Sequence, residues 1–292
     1  MTATPQHRDS RGRARVRSRC PAGLLVRLAA VFIAVALAAC GSLTESTAVP
    51  PPPYEVITHQ VGDPTTQDIS VWEPVAPGAW PVVYAVPGIS GHREDLDLLG
   101  PALAAQGAVV FASDYRATGT AAQVTRDLVC GYRYVYGVAR QYGGDLTKPV
   151  TAVGYSNGAR LVLGLRNPTA GPGRRCSPSV PAPDVVVGIN GCYFDFQGTR
   201  FPFTPLGPGD ADATVVLVTG DQDAVCPSWQ SERAARELSA AGVLTRLVPL
   251  LGADHFTPVF HDFVDGAWTT DPQSAAGVRT VQVIMRAIAT SP

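Results

Sequence analysis

The 292-residue chain offers no Cys-x-x-Cys or His-x-x-x-His spacing of the kind that holds zinc. It has no basic face interleaved with aromatic residues, which leaves nucleic acid out as a partner. No internal repeat points to a solenoid, and no apolar run is long enough to span a bilayer. What is there, with hydrophobic residues at 46%, is a chain able to bury one real core. Neither a metal nor a cofactor is expected.

The first 39 residues differ from the rest. They carry seven arginines and one acid, Asp9, ahead of the apolar run 28–39. Basic then apolar is the order of an export signal. Without this stretch 16 basic residues face 23 acidic ones, and the formal charge moves from minus 1 to minus 7. The sequence Leu37-Ala38-Ala39-Cys40-Gly41 resembles the lipobox of bacterial lipoproteins. That resemblance implies a signal peptide over 1–39 and a diacylglycerol on Cys40; an ordinary signal that happens to meet a cysteine is the alternative. Residues 40–53, rich in Ser, Thr and Pro, suit a tether. Residues 54–292 are then one domain at the outer face of a membrane, held there by lipid. The basic stretch is long for a signal, so translation is expected to begin downstream, near Val16 or Leu24.

From residue 80 onward, near-continuous apolar runs alternate with helical patterns. The runs at 80–86, 108–113, 184–189 and 214–219 have the composition of strands covered on both faces, and further strands are expected at 150–153 and 245–251. Helices are expected at 95–105, 120–142, after residue 158, at 228–241 with Ser228 as N-cap, and at 273–289. Two half-buried antiparallel strands, 54–61 and 69–73, precede them. The alternation specifies a mostly parallel sheet of about eight strands with right-handed crossovers and helices on both faces. Residues 190–213, rich in Gly, Pro and Phe, are long enough only for a short flap in place of a large lid.

The chain is organised around residues 150–163, VTAVGYSNGARLVL. A strand runs without pause into Gly154-Tyr155-Ser156-Asn157-Gly158 and then a helix, which lifts the Ser156 hydroxyl above the sheet edge. Both glycines are required because the turn leaves no room for a Cβ. A serine hydroxyl is a poor nucleophile without a base and a group to orient that base. His255 follows the last parallel strand and is the preferred base. His59 lies on an edge strand, His92 in the loop after the third strand, and His261 in an expected short helix. The acid follows the preceding strand: Asp223 is better placed over the edge, while Asp221 suits the turn itself. The order Ser156, Asp223, His255 is that of the α/β-hydrolase fold. The N–H of Asn157 and that of Ile89, after Gly88, are the candidate oxyanion donors.

Four cysteines remain beyond Cys40, namely Cys130, Cys176, Cys192 and Cys226. In an exported domain an even number favours two disulfides, with three connectivities open. Cys192 and Cys226 follow neighbouring strands at one edge and are the preferred pair, leaving Cys130 with Cys176.

The segment PGISGHREDLDLLGPALAAQGAVVFASDYR, together with GYSNGA, GDQDAV and GADHFTP, resembles the dienelactone-hydrolase-like and cutinase-like polyester-hydrolase branches of the α/β hydrolases. The resemblance covers most of residues 80–260. It implies Ser156 as nucleophile, Asp223 as acid, His255 as base, and Ile89 and Asn157 as oxyanion donors. Cutinase-like enzymes usually have His and Met where this chain has Tyr155 and Asn157, an aromatic residue in place of Ile89, and a Trp near Gly191-Cys192-Tyr193. These departures point away from a polymer clamp and toward esters of small or medium acyl groups. Dienelactone hydrolases proper use a cysteine nucleophile, which Ser156 is not. Acyl transfer to a lipid or cell-wall acceptor, and a non-catalytic hydrolase-fold lipoprotein that binds or assembles envelope components, are the alternatives.

Overall fold

The computed structural model describes residues 56–62, 68–167, 179–202, 204–209 and 212–291. Cys40, the expected tether and Cys176 lie outside them. Eight strands form one sheet: β1 (Val56–Gly62), β2 (Asp68–Pro74), β3 (Val82–Val86), β4 (Val109–Ser113), β5 (Thr151–Tyr155), β6 (Val185–Ile189), β7 (Thr214–Gly220) and β8 (Thr245–Leu250). Their spatial order is β1-β2-β4-β3-β5-β6-β7-β8. β1 pairs antiparallel with β2, and β2 with β4; every other neighbour is parallel.

Every residue of β3, β4, β5 and β6 is buried, because helices cover both faces. Side chains of a strand alternate between faces, so Tyr84 and Val86 join one core while Val83 and Ala85 join the other. The first core is completed by α2 (Ala121–Val138), α3 (Asn157–Val162) and α4 (Trp229–Ala240); the second by α1 (Leu99–Ala105) and α5 (Ala275–Thr290). Burying one such Leu, Val or Phe is worth about 1.5–3 kcal/mol, so these two layers hold the sheet. Tyr132, Tyr134 and Tyr136 of α2 belong to the first layer, as packing.

Some boundaries depart from expectation. The helix expected over 95–105 is a 3-10 turn, Arg93–Leu96, followed by α1. Pro101 has no N–H and its ring would meet the carbonyl four residues back, so an α-helix can hold it only in its first turn. Ser228 precedes α4 without capping it; its hydroxyl instead reaches Glu232 Oε1 at 3.4 Å. His261, expected in a short helix, begins β9 (His261–Val264), which pairs antiparallel with β10 (Ala267–Thr270). Asp265 and Gly266 turn the hairpin, both at positive φ, as a two-residue Asp-Gly turn requires.

The chain reverses its winding between β3, β4 and β5, so the ends of β3 and β5 lie side by side. Such a switch point leaves a crevice at the C-terminal edge of the sheet. The loops after β3, β5, β7 and β8 all open there.

Candidate active site

Ser156 sits between β5 and α3 at φ 54°, ψ −117°, a conformation that a residue with a Cβ adopts only when its surroundings enforce it. The enforcement is visible. A Cβ on Gly154 would lie 2.3 Å from Gly158 O, and one on Gly158 would lie 2.3 Å from Pro87 O. Ser156 N–H donates to Ile189 O at 2.8 Å, tying the elbow to β6. Tyr155, beside the serine, is buried under the site with its ring centroid 5.2 Å from that of His255. Burial pushes its hydroxyl well above the ordinary tyrosine range.

His255 Nε2 lies 3.0 Å from Ser156 Oγ, and His255 Nδ1 lies 2.8 Å from Asp223 Oδ2. All three residues are buried. An ionised carboxylate can only accept, so Nδ1 carries the proton and Nε2 faces the serine as an acceptor. The other Asp223 oxygen, Oδ1, accepts from the N–H groups of Val225 and Cys226, each at 2.8 Å. Asp221 takes the role of turn residue, accepting from Gly252 N–H at 2.7 Å. His92 lies in the loop after β3 and His261 in the hairpin; neither makes a hydrogen bond with Ser156.

Cys192 and Cys226 form a disulfide with Cα atoms 5.0 Å apart. It links the loop after β6 to the loop that carries Asp223. Cys192 Sγ lies 3.8 Å from Ser156 Oγ. Cys130 is also disulfide-bonded.

A cavity of about 410 Å³ opens at Ser156. Ile89, Phe194, Phe196, Phe201 and Val225 make its wall largely apolar, and Arg160 and Asp195 add one charge of each sign. The three phenylalanines all come from the flap after β6. The flap is anchored by α4: Gln230 Oε1 accepts from Tyr193 N–H at 2.8 Å and Phe194 N–H at 2.9 Å. Ile89 and Asn157 both border the cavity, and neither backbone N–H donates a hydrogen bond among the described residues.

Several site residues were not singled out from sequence. Asn190 is fully buried at φ 45°; its Oδ1 accepts from Gly220 N–H at 2.7 Å, and its Nδ2 donates to Asp254 O at 2.7 Å and His255 O at 2.9 Å. It therefore binds the ends of β6, β7 and the His255 loop into one piece. Its only sequence signal is an Asn directly after an apolar strand. The phenylalanines of the flap had a clearer one, three aromatic residues within eight positions of an otherwise Gly- and Pro-rich segment. As for a metal, His92, Glu94 and Asp114 come within reach of one another, but both Asp114 oxygens already accept from Arg93.

No protein-family model matches the chain, and no curated protein matches it. Solved structures do. An esterase from Thermogutta terrifontis with propionate bound superposes with a TM-score of 0.57 at 18% identity, over 80% of this chain and 93% of that one. Carboxyl esterase 2 from Tuber melanosporum gives 0.58 at 17% identity, over 82% and 89%. MGS-M1, an α/β-hydrolase enzyme from a deep-sea metagenome, gives 0.61 at 12% identity, over 82% and 98%. With the strand order and the serine elbow, these likenesses identify the architecture: the chain has the α/β-hydrolase fold.

Proposed function

We propose that the protein is a serine carboxylesterase of the dienelactone-hydrolase-like or cutinase-like type, acting on esters of small or medium acyl groups. The observation that carries this reading is the hydrogen-bonded line Ser156 Oγ, His255 Nε2, His255 Nδ1, Asp223 Oδ2 at the mouth of an apolar cavity. His255 takes the hydroxyl proton as Ser156 Oγ bonds to the ester carbonyl carbon. The resulting oxyanion is received by the N–H groups of Asn157 and Ile89. As the carbonyl reforms, the C–O bond to the alcohol breaks and His255 returns the proton to the departing oxygen. Water repeats the sequence on the acyl-enzyme and releases the acid. Asp223 holds the imidazole orientation and balances the imidazolium. Two further features support the substrate class: the wall is apolar where an acyl chain would lie, and about 410 Å³ suits a short chain better than a polymer strand.

The reading extends to location. Export and a lipid on Cys40 are supported by the basic, apolar, Cys40 order and by disulfides, which persist in oxidising compartments. No helix among the described residues is long and apolar enough to cross a membrane.

A panel of p-nitrophenyl esters of increasing acyl length, with fluorophosphonate labelling, tests the activity. Turnover peaking at short to medium chains and labelling lost in Ser156→Ala is the expected result. No turnover on any ester, or labelling that persists in Ser156→Ala, would count against it. For the anchor, mass spectrometry of the Cys40 peptide should find a diacylglycerol, and an unmodified Cys40 sinks that part.

A further inference from the structure

The two candidate oxyanion donors belong to different loops, so their relative position has to be held by something between them. Three hydrogen bonds span that gap. Arg160 Nε donates to Asn157 Oδ1 at 2.7 Å, and Asn157 Nδ2 donates to the Tyr115 hydroxyl at 2.8 Å. The Tyr115 O–H in turn donates to Gly88 O. A guanidinium can only donate and a peptide carbonyl can only accept, so every proton along this chain points the same way and the Asn157 amide has one possible orientation.

The last acceptor matters most. Gly88 O and Ile89 N–H belong to one planar trans peptide, in which C=O and N–H point in opposite directions. A hydroxyl that pins the carbonyl therefore aims the Ile89 N–H away from Tyr115, and draws electron density off it. Gly91 N–H makes a second bond to Gly88 O at 3.2 Å, and Asp95 Oδ2 accepts from Gly88 N–H at 3.2 Å, so the rest of the turn is fixed as well. The relay begins at Arg160, one helical turn after the nucleophile. Its middle member, Asn157, carries the other oxyanion donor on its own backbone.

The groups at the ends suit the task. Tyr115 is buried, and that burial pushes its hydroxyl above the usual range, with the Asn157 hydrogen bond pulling the other way; it stays a protonated donor. Arg160 makes no ion pair among the described residues. Its Nη1 donates to Pro202 O at 2.6 Å and its guanidinium lies 5.5 Å from the Phe201 ring centroid, which fixes it against the flap. Arg160 and Asn157 line the cavity at Ser156 and also a second one, of about 320 Å³, that Tyr115 borders. Asn157 and Arg160 thus lie between the two.

We propose that Tyr115, the Asn157 side chain and Arg160 are positioning residues that orient and polarise the Ile89 N–H, so that both oxyanion donors are set by a single hydrogen-bonded relay. This rests on the serine-esterase reading. The relay would act when negative charge develops on the carbonyl oxygen, and so on kcat more than on KM.

The test is Tyr115→Phe in the full chain, assayed on a p-nitrophenyl butyrate and its thionoester. Sulfur is larger and a weaker acceptor, so a thionoester gains less from well-aimed N–H donors. The expected result is a fall in kcat of roughly 10- to 100-fold on the oxygen ester with KM within about twofold. The oxygen-to-sulfur rate ratio should shrink accordingly. Asn157→Leu, a change at the partly exposed cavity wall, should shrink the same ratio and keeps the test open where Tyr115→Phe fails to fold. The double variant should be little worse than either single one. An unchanged ratio, or equal losses on both esters with a raised KM, would overturn the relay while leaving the Ser156-dependent esterase intact. A wild-type protein that turns over neither ester overturns the esterase reading and the relay with it.

Discussion

The side of the site that carries Asp223 and His255 and the side lined by the flap and Ile89 are held by different means. Asp223 receives two backbone N–H groups, the Cys192–Cys226 disulfide ties its loop to the turn after β6, and Asn190 binds that turn to both β7 and the His255 loop. Across the cavity, Phe194 is buried against Trp229 with Arg233 4.2 Å from its ring centroid, yet Phe196 is 80% exposed and Ile89 76% exposed. One side is over-determined, while the flap on the other rests on a few anchors. Under the proposed esterase reading, the contrast means that a change in the flap can alter substrate preference without moving the His255 imidazole.

The largest losses are expected on the braced side. Ser156→Ala should lower ester kcat by about 10⁶-fold and abolish fluorophosphonate labelling, with circular dichroism unchanged. Asp223→Asn should lower kcat by about 10⁴-fold, because an amide N–H facing Nδ1 drives the imidazole proton onto Nε2 and presents a donor to the serine. Pre-steady-state kinetics should show both acylation and deacylation slowed.

Smaller losses sharpen the comparison. Replacing Cys192 and Cys226 together by serine removes a cross-link with a sequence separation of 34 and should destabilise the fold by about 4 kcal/mol in urea unfolding. Activity should fall as the Asp223 loop loosens; full activity in a verified double variant would show that the bridge serves stability alone. Asn190→Ala removes the three hydrogen bonds of a buried side chain and should cost about 3 kcal/mol, with kcat falling further than in Phe196→Ala. Phe196→Ala, at the exposed rim, should leave stability within about 0.5 kcal/mol. It should change kcat/KM by less than about tenfold, more on longer acyl chains than on acetate. A loss as large as that of Asp223→Asn would erase the distinction between the two sides.

The local parts of the site were the legible ones. Strand, tight turn and helix around Ser156 follow from residues 150–163 alone, because burial on both sheet faces demands an unbroken apolar run and the turn demands Gly154 and Gly158. The hairpin of β9 and β10 was also written plainly, as Asp265-Gly266 between HDFV and AWTT, and reading His261 into a helix overlooked that turn. Pro101 likewise carried the reason that its helix starts late. Asn190, Gln230 and the Tyr115 relay had no comparable mark. Asn190 reaches Gly220 and Asp254 across 30 and 64 residues, Gln230 reaches Phe194 across 36, and Asn157 reaches Tyr115 across 42, and no periodicity records contacts of that range.

By itself, then, the order of residues determined the alternation of strands and helices, the elbow, and the succession of Ser156, Asp223 and His255 after β5, β7 and β8. These are local choices of burial, turn sterics and chain order. Only the tertiary structure decided that β3 lies beside β5, that the flap turns its phenylalanines onto the cavity, and that Arg160, Asn157 and Tyr115 meet Gly88 in one line. Sheet pairing and side-chain reach set those distances, and both are properties of the folded chain.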